Sequence, residues 1–278
     1  MKAGERLQKE FFKEYTSGEA ISKYTRETAG FGISYLLDHD YKSVYTGALA
    51  LLPRQTLESG IRMLEFGCGG GMNLIHLISV LNRDGIRVES AVGTDFSPVL
   101  IKAAEQEAEN YLRKEERHKL QFHVAKNEQL VTDLSTSLGD EKAELKNSFD
   151  FIFGVNTIRY CHAAAREAAC ARDIFDLLKP GGVCVVIDMN NRFPLFRSDL
   201  KNRFRRQKEE ECYVPSLSEY AAPFHKTGFE VLREEQFCWI PHSSGLVMCQ
   251  LLNVMSPVLD LVARSRSMRS LVVSRKPQ

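Results

Sequence analysis

The stretch Ile61 to Met72, IRMLEFGCGGGM, constrains the fold more than any other part of this chain. Ile61, Met63, Leu64 and Phe66 form an apolar run of strand length, and glycines at 67, 69 and 71 follow it before the helix-like run Met72 to Leu81. The order is strand, tight turn, helix N-terminus. Glycines at alternate positions permit positive φ and let a ligand come within contact distance of the backbone. Glu65 stands at the C-terminal end of the strand, the end at which open α/β sheets bind their ligands. A dinucleotide fingerprint asks for Gly or Ala where Met72 stands. The turn alone leaves open a nucleotide-type ligand of another class or a purely structural role.

Bulk properties narrow the partners. With 278 residues, 44% of them hydrophobic, the chain can bury one large core with an appended lid. A formal net charge of +1 gives no global pull toward nucleic acid or an anionic membrane. Seven cysteines without a C-x-x-C pair fit free thiols in a reducing compartment. The amino terminus MKAGERLQKEFFKEY is charged throughout and lacks an apolar signal core. Leu246 to Val262 is apolar, but Gln250, Asn253, Pro257 and Asp260 interrupt it, and it reads as too short to span a bilayer comfortably. A cytoplasmic protein with no membrane partner is expected.

Taken in order, the chain opens with helical spacing through Leu7, Phe11, Phe12 and Tyr15, then Ile33 to Leu52, closed by Pro53. Beyond the glycine turn, Glu89 to Asp95 reads as a second strand ending in an acid, 28 residues after Gly67. A carboxylate there can accept both hydroxyls of a ribose, or it can cap the helix that Pro98 begins and that runs to Arg117. Leu120 to Ala125 is a third strand, followed by Lys126, Asn127 and Glu128; Phe149 to Val155 is a fourth, continued by Asn156 to His162. Ala163 to Leu178 reads as a helix stopped by Lys179-Pro180-Gly181-Gly182, and Val183 to Met189 as a fully apolar fifth strand. Ser216 and Glu219 form a capping box for a helix that Gly228 ends and that Pro223 should kink or delay. Phe229 to Trp239 and Met268 to Ser274 complete the strands. The basic run between Asn190 and Lys208 is followed by three glutamates and reads as a solvated helix.

The motifs E-x-G-x-G-x-G (65–71), DFSP (95–98), FDFIF (149–153) and LLKPGG (177–182) together resemble those of class I S-adenosylmethionine-dependent methyltransferases, over residues 61 to 275. The resemblance implies an α/β fold: a Rossmann-like seven-stranded mixed sheet, order 3-2-1-4-5-7-6, last strand antiparallel, flanked by helices. It implies a helical cap at 1–58 and a catalytic domain at 59–278, with lid segments at 190–215 and 240–267. S-adenosyl-L-methionine would contact Glu65, Gly67, Cys68, Gly69, Gly71, Asp95, Phe96, Asn127, Glu128 and Val155, with Tyr15, Tyr24 and Arg26 from the cap. Arg26 would pair with the cofactor's carboxylate. Lys126 occupies the place of the family's adenine-binding acid, so that role passes to Asn127 or Glu128. Arg159, Tyr160 and His162 would line the acceptor pocket, His162 as a base where the acceptor must lose a proton. The acceptor is expected to be a small molecule methylated on O, N or C, without a metal. There is no N-P-P-[YF] motif for an exocyclic base nitrogen, and Phe153 replaces the second acid of the related aminopropyl transferases. A binding or scaffold protein of this fold without catalysis and an NAD-dependent oxidoreductase are the alternatives.

Overall fold

The computed structural model describes residues 25, 30–139, 142–194 and 214–278. Tyr15, Tyr24, Arg26 and most of the basic run lie outside them. Seven strands form one sheet in the order β3-β2-β1-β4-β5-β7-β6: β1 Ile61–Phe66, β2 Val88–Asp95, β3 Leu120–Val124, β4 Phe149–Val155, β5 Leu178–Met189, β6 Glu230–Phe237 and β7 Arg269–Arg275. The pairs among β1 to β5 are parallel, whereas β7 runs antiparallel to both β5 and β6. Parallel strands need crossover helices, which cover both faces and explain why the central strands are almost wholly apolar.

On one face, Met63, Phe151, Phe153, Val185 and Ile187 pack against α2 (Lys42–Leu49) and α4 (Met72–Arg83). On the other, Leu64, Phe66, Ile152 and Val186 meet α7 (Leu130–Leu138), α10 (Glu167–Leu177) and α11 (Leu217–Thr227). The N-terminal helices enter the first of these cores directly. After α1 (Phe31–Leu36) and a π-helical turn at Leu37–Tyr41, Tyr45 is fully buried with its ring 6.4 Å from Phe151 and 5.0 Å from Phe153.

Several local expectations change, each for a physical reason. The continuation of β4, read as lining the acceptor pocket, contains α9 (Ile158–Ala163), and the helix read from Ala163 starts at Glu167 because Ala165 turns at φ 53°. The helix read as Pro98–Arg117 is two, α5 (Pro98–Tyr111) and α6 (Lys114–Arg117), separated where Leu112 is extended. β5 is not wholly apolar, since Asp188 is fully buried within it. Gly181 takes the left-handed turn at φ 77°, and the register shift against β4 absorbs Pro180 and the glycines. Pro223 sits inside an uninterrupted α11, whose start is fixed by the Ser216–Glu219 capping box.

The segment 240–267 holds α12 (Leu246–Ala263), 18 residues long in spite of its polar interruptions. Only Cys249 in it is buried, while Val247, Val254 and Leu261 are 77%, 77% and 86% exposed. By length and composition this helix could cross a membrane, which corrects the expectation of a span too short. The six described cysteines are free and buried.

The hydroxyl of Tyr45 is buried without a hydrogen-bond partner. Removing such a group spares a desolvation penalty, so Tyr45→Phe should hold or raise stability, by up to about 1–2 kcal/mol. Tyr45→Ala, which empties the space beside the stacked rings of Phe151 and Phe153, should cost about 3–5 kcal/mol. Urea unfolding of the two variants checks both signs.

Candidate active site

Three glycines shape the turn after β1, and two of them show why no other residue would serve. Gly67 has φ 64°, and a Cβ there would lie 2.3 Å from Thr157 Cγ2 and 3.3 Å from Asn127 Nδ2. The turn, the exit of β3 and the exit of β4 therefore converge on one backbone position. Gly71 is the N-cap of α4 in the left-handed conformation, φ 78°, and has no side chain with which to cap it. Glu65 does that work from the strand, its Oε2 accepting the Leu74 N–H at 3.0 Å. Its Oε1 has no hydrogen-bond partner, and burial, partly opposed by the Leu74 amide, pushes its pKa well up.

Asp95 joins two loops. Oδ2 accepts from the Gly69 N–H at 3.0 Å and Oδ1 from the Ser97 N–H at 2.9 Å. The helix after β2 is capped by Ser97, whose hydroxyl oxygen accepts the Leu100 N–H, so Asp95 is not its N-cap. Burial raises the Asp95 pKa to about 6 against the opposing pull of the two amides. Cys68 fills space beside Gly93, and burial pushes its thiol well up, so it packs rather than reacts. Asn127, on a short 3-10 turn, is half-buried over the glycine loop, as is Glu128 next to it. Lys126 points to solvent and its backbone N–H donates to Asp133. Phe96 and Val155 are half-buried at the tips of β2 and β4.

The exit of β4 leads to a second polar group. Asn156 takes φ 57°, a conformation Asn tolerates better than most side chains, and its Oδ1 accepts from Arg269 Nη1 at 2.5 Å. Arg269 Nη2 donates to His242 Nε2 at 2.5 Å, and Tyr41 Oη lies 3.5 Å from the same nitrogen. Arg159 donates to Tyr160 Oη at 2.7 Å and stacks on its ring, while its backbone N–H donates to Asp188 at 3.1 Å. The His162 ring meets Tyr220 edge-on at 5.6 Å, and burial lowers its pKa against the opposing pull of Glu167, Glu219 and Asp188. Asn156 and Thr157 belong to the stretch read as lining the acceptor pocket, whereas Asp188, His242 and Arg269 escape the sequence reading. The available signals are slight, a charge opening the apolar strand β7 and an acid near the end of β5.

Comparison with known proteins now bears on this geometry. The profile of the methyltransferase-domain family matches residues 37–234. The chain belongs to this methyltransferase family. No curated protein matches it. Among solved structures, similarity extends to the complex between the Haloferax volcanii Trm112 methyltransferase activator and a presumed methyltransferase, at 17% identity over 97% of this chain and 98% of that one, TM-score 0.55. A SAM-dependent methyltransferase from Aquifex aeolicus aligns at 15% identity over 87% and 92%, TM-score 0.52. The [4+2]-cyclase SpnF aligns at 18% identity over 78% and 76%, TM-score 0.51. These structures share the fold.

The cofactor of the methyltransferase is S-adenosyl-L-methionine, and the residues present fit it. The loop at Gly67 forms a cradle that a single Cβ would fill, and each oxygen of Asp95 keeps a lone pair beyond the amide it accepts. The pKa of Asp95 sets a pH signature. A raised carboxyl pKa means that the free folded protein holds a proton the unfolded chain has released, so this group's contribution to stability falls as pH rises from about 4 through about 6. Ribose hydroxyls need the ionised form as acceptor. Affinity for S-adenosylhomocysteine should therefore drop below pH 6, and calorimetry across pH 5–8 should show that Asp95→Asn abolishes the drop and costs about 1.5–3 kcal/mol at neutral pH.

Proposed function

We propose that this methyltransferase transfers a methyl group to an O, N or C nucleophile of a small molecule. When bound, S-adenosylmethionine supplies an electrophilic methyl group on a sulfonium, open to in-line displacement. The chain's own task is alignment and exclusion of water. One observation carries the reading: Thr157 rests against Gly67 while its neighbour Asn156 bonds Arg269, which is only 3% exposed. Donor and acceptor sides thus share one wall, in which Thr157 and Arg269 are buried and Asn156 is half-buried. Tyr41 of the N-terminal helices reaches His242 at that wall, which supports a helical segment before residue 58 working together with the catalytic unit 59–278. Tritium from methyl-labelled cofactor should appear in the low-molecular-mass fraction of a cell extract; label in RNA, DNA or protein instead would overturn the reading.

Arg159 and Tyr160 are the proposed acceptor contacts, and His162 the proposed base where a proton must leave. Its lowered pKa keeps the ring neutral at pH 7, the form a base requires. Activity limited by this group would fall only on the acid side, below about pH 6.5. His162→Gln should lower kcat by about 10²-fold or more with unchanged S-adenosylhomocysteine affinity. An unchanged kcat would assign the ring to packing against Tyr220.

A further inference from the structure

Arg269 is the most deeply buried arginine side of this site, and its charge is unanswered. The guanidinium is always protonated and tolerates burial only when paired or fully hydrogen-bonded. Its described partners, Asn156 and His242, are both neutral. For Nε2 of His242 to accept from a guanidinium, which can only donate, the imidazole must be unprotonated with its hydrogen on Nδ1. Burial, then Arg269 and Arg159, hold it so by lowering its pKa to about 3. Among the described residues no carboxylate forms an ion pair with Arg269 and its Nε–H has no acceptor, the nearby Tyr41 hydroxyl being neutral like its other partners. The adjacent acid, Asp188, is one residue out of register with it and so on the opposite face of the sheet, where it lies 3.9 Å from Arg159.

We propose that Arg269 binds a carboxylate carried by the methyl acceptor. In a guanidinium the Nε–H and one hydrogen of Nη2 share an edge that matches the two oxygens of a carboxylate side-on, and the Nε–H of that edge is the donor left without an acceptor among the described residues. The site stands at the C-terminal sheet edge, since Arg269 is the first residue of β7 and pairs with Met189, the last of β5. In the order β1-β4-β5-β7, three strand spacings put it about 14 Å from the strand that feeds the glycine loop, beyond β4 on the acceptor side. Asn156 and His242 fix the fork's orientation and add no charge to compete for it. The inference rests on the acceptor site proposed above at the exit of β4.

The test uses the full chain saturated with S-adenosylhomocysteine, at constant ionic strength. Sodium benzoate and sodium acetate should raise the Tm of the wild type, benzamide should not, and Arg269→Gln should weaken benzoate binding at least tenfold by calorimetry. Without added anion, Arg269→Gln should melt at or above the wild-type Tm, because it removes an uncompensated buried charge; a structural arginine would give a clear fall. Arg269→Lys keeps the charge but loses the fork, and should also lose at least tenfold. If neither anion distinguishes wild type from these variants, or benzamide binds as well as benzoate, the proposal is overturned. A tenfold loss of S-adenosylhomocysteine affinity in Arg269→Gln, with 5′-methylthioadenosine unaffected, would assign the guanidinium to the cofactor's carboxylate and overturn it too. Failure of wild type to bind S-adenosylhomocysteine at all would instead sink the cofactor reading, leaving benzoate against benzamide on the unliganded chain to decide Arg269.

Discussion

Two backbone amides converge on the carboxylate of Asp95, and the ligand edge of the sheet depends on that convergence. Gly69 belongs to the loop after β1 and Ser97 to the loop after β2, so the bonds from their N–H groups set the distance between two helix N-termini. Glu65 repeats the device one strand over by holding the Leu74 N–H at the start of α4. Glu65 replaces the local cap that Gly71 cannot supply, whereas Asp95 ties two loops together beside a helix that Ser97 already caps. Orphan N–H groups at helix ends must find acceptors in any case, and here the acceptors are placed so that satisfying them also fixes the cradle. Burial opposes both carboxylates, and the amides only partly offset it.

This half of the site was legible in the sequence because its constraints are local. A left-handed turn with no room for a Cβ must be written with glycine, and an acid that bonds the loop two residues on must stand at the strand's last position. The sheet order was legible too, once the motifs fixed which apolar runs were strands. The partners of the polar group beyond β4 were not. Asn156 and Arg269 are 113 residues apart, Tyr41 and His242 are 201 apart, and no spacing rule links them. His162, the residue whose chemistry stood out, was named from its side chain alone, and His242 lay inside a segment read only as a lid. Side-chain chemistry picks candidates, but burial and neighbours assign them.

Averages misled in one further place. A near-neutral chain with a conventional hydrophobic fraction reads as evenly amphipathic, yet α12 keeps most of its aliphatic side chains outside. Its polar residues looked like interruptions in a span. In the helix, Cys249, Leu252, Ser256 and Leu259 recur at three- and four-residue steps as its more covered positions, so the polar and apolar residues do not segregate by face as a surface helix requires.

The distribution of unsatisfied groups separates what folds this chain from what it does. Away from the ligand edge the two sheet faces are filled largely by aliphatic and aromatic side chains, and the buried groups without partners there are mostly neutral, as is the hydroxyl of Tyr45. At the edge stand a carboxylate oxygen of Glu65 and a guanidinium nitrogen of Arg269 without partners, together with Asp95 held at a raised pKa. Each of these would be cheaper for folding as a neutral residue of similar volume. Charged groups left so at the strand ends, where chain and ligand can meet, are what is expected when stability is given up for binding. Because β1, β4 and β5 are anchored by apolar cores on both faces, the edge can carry that cost without loosening the sheet that positions it.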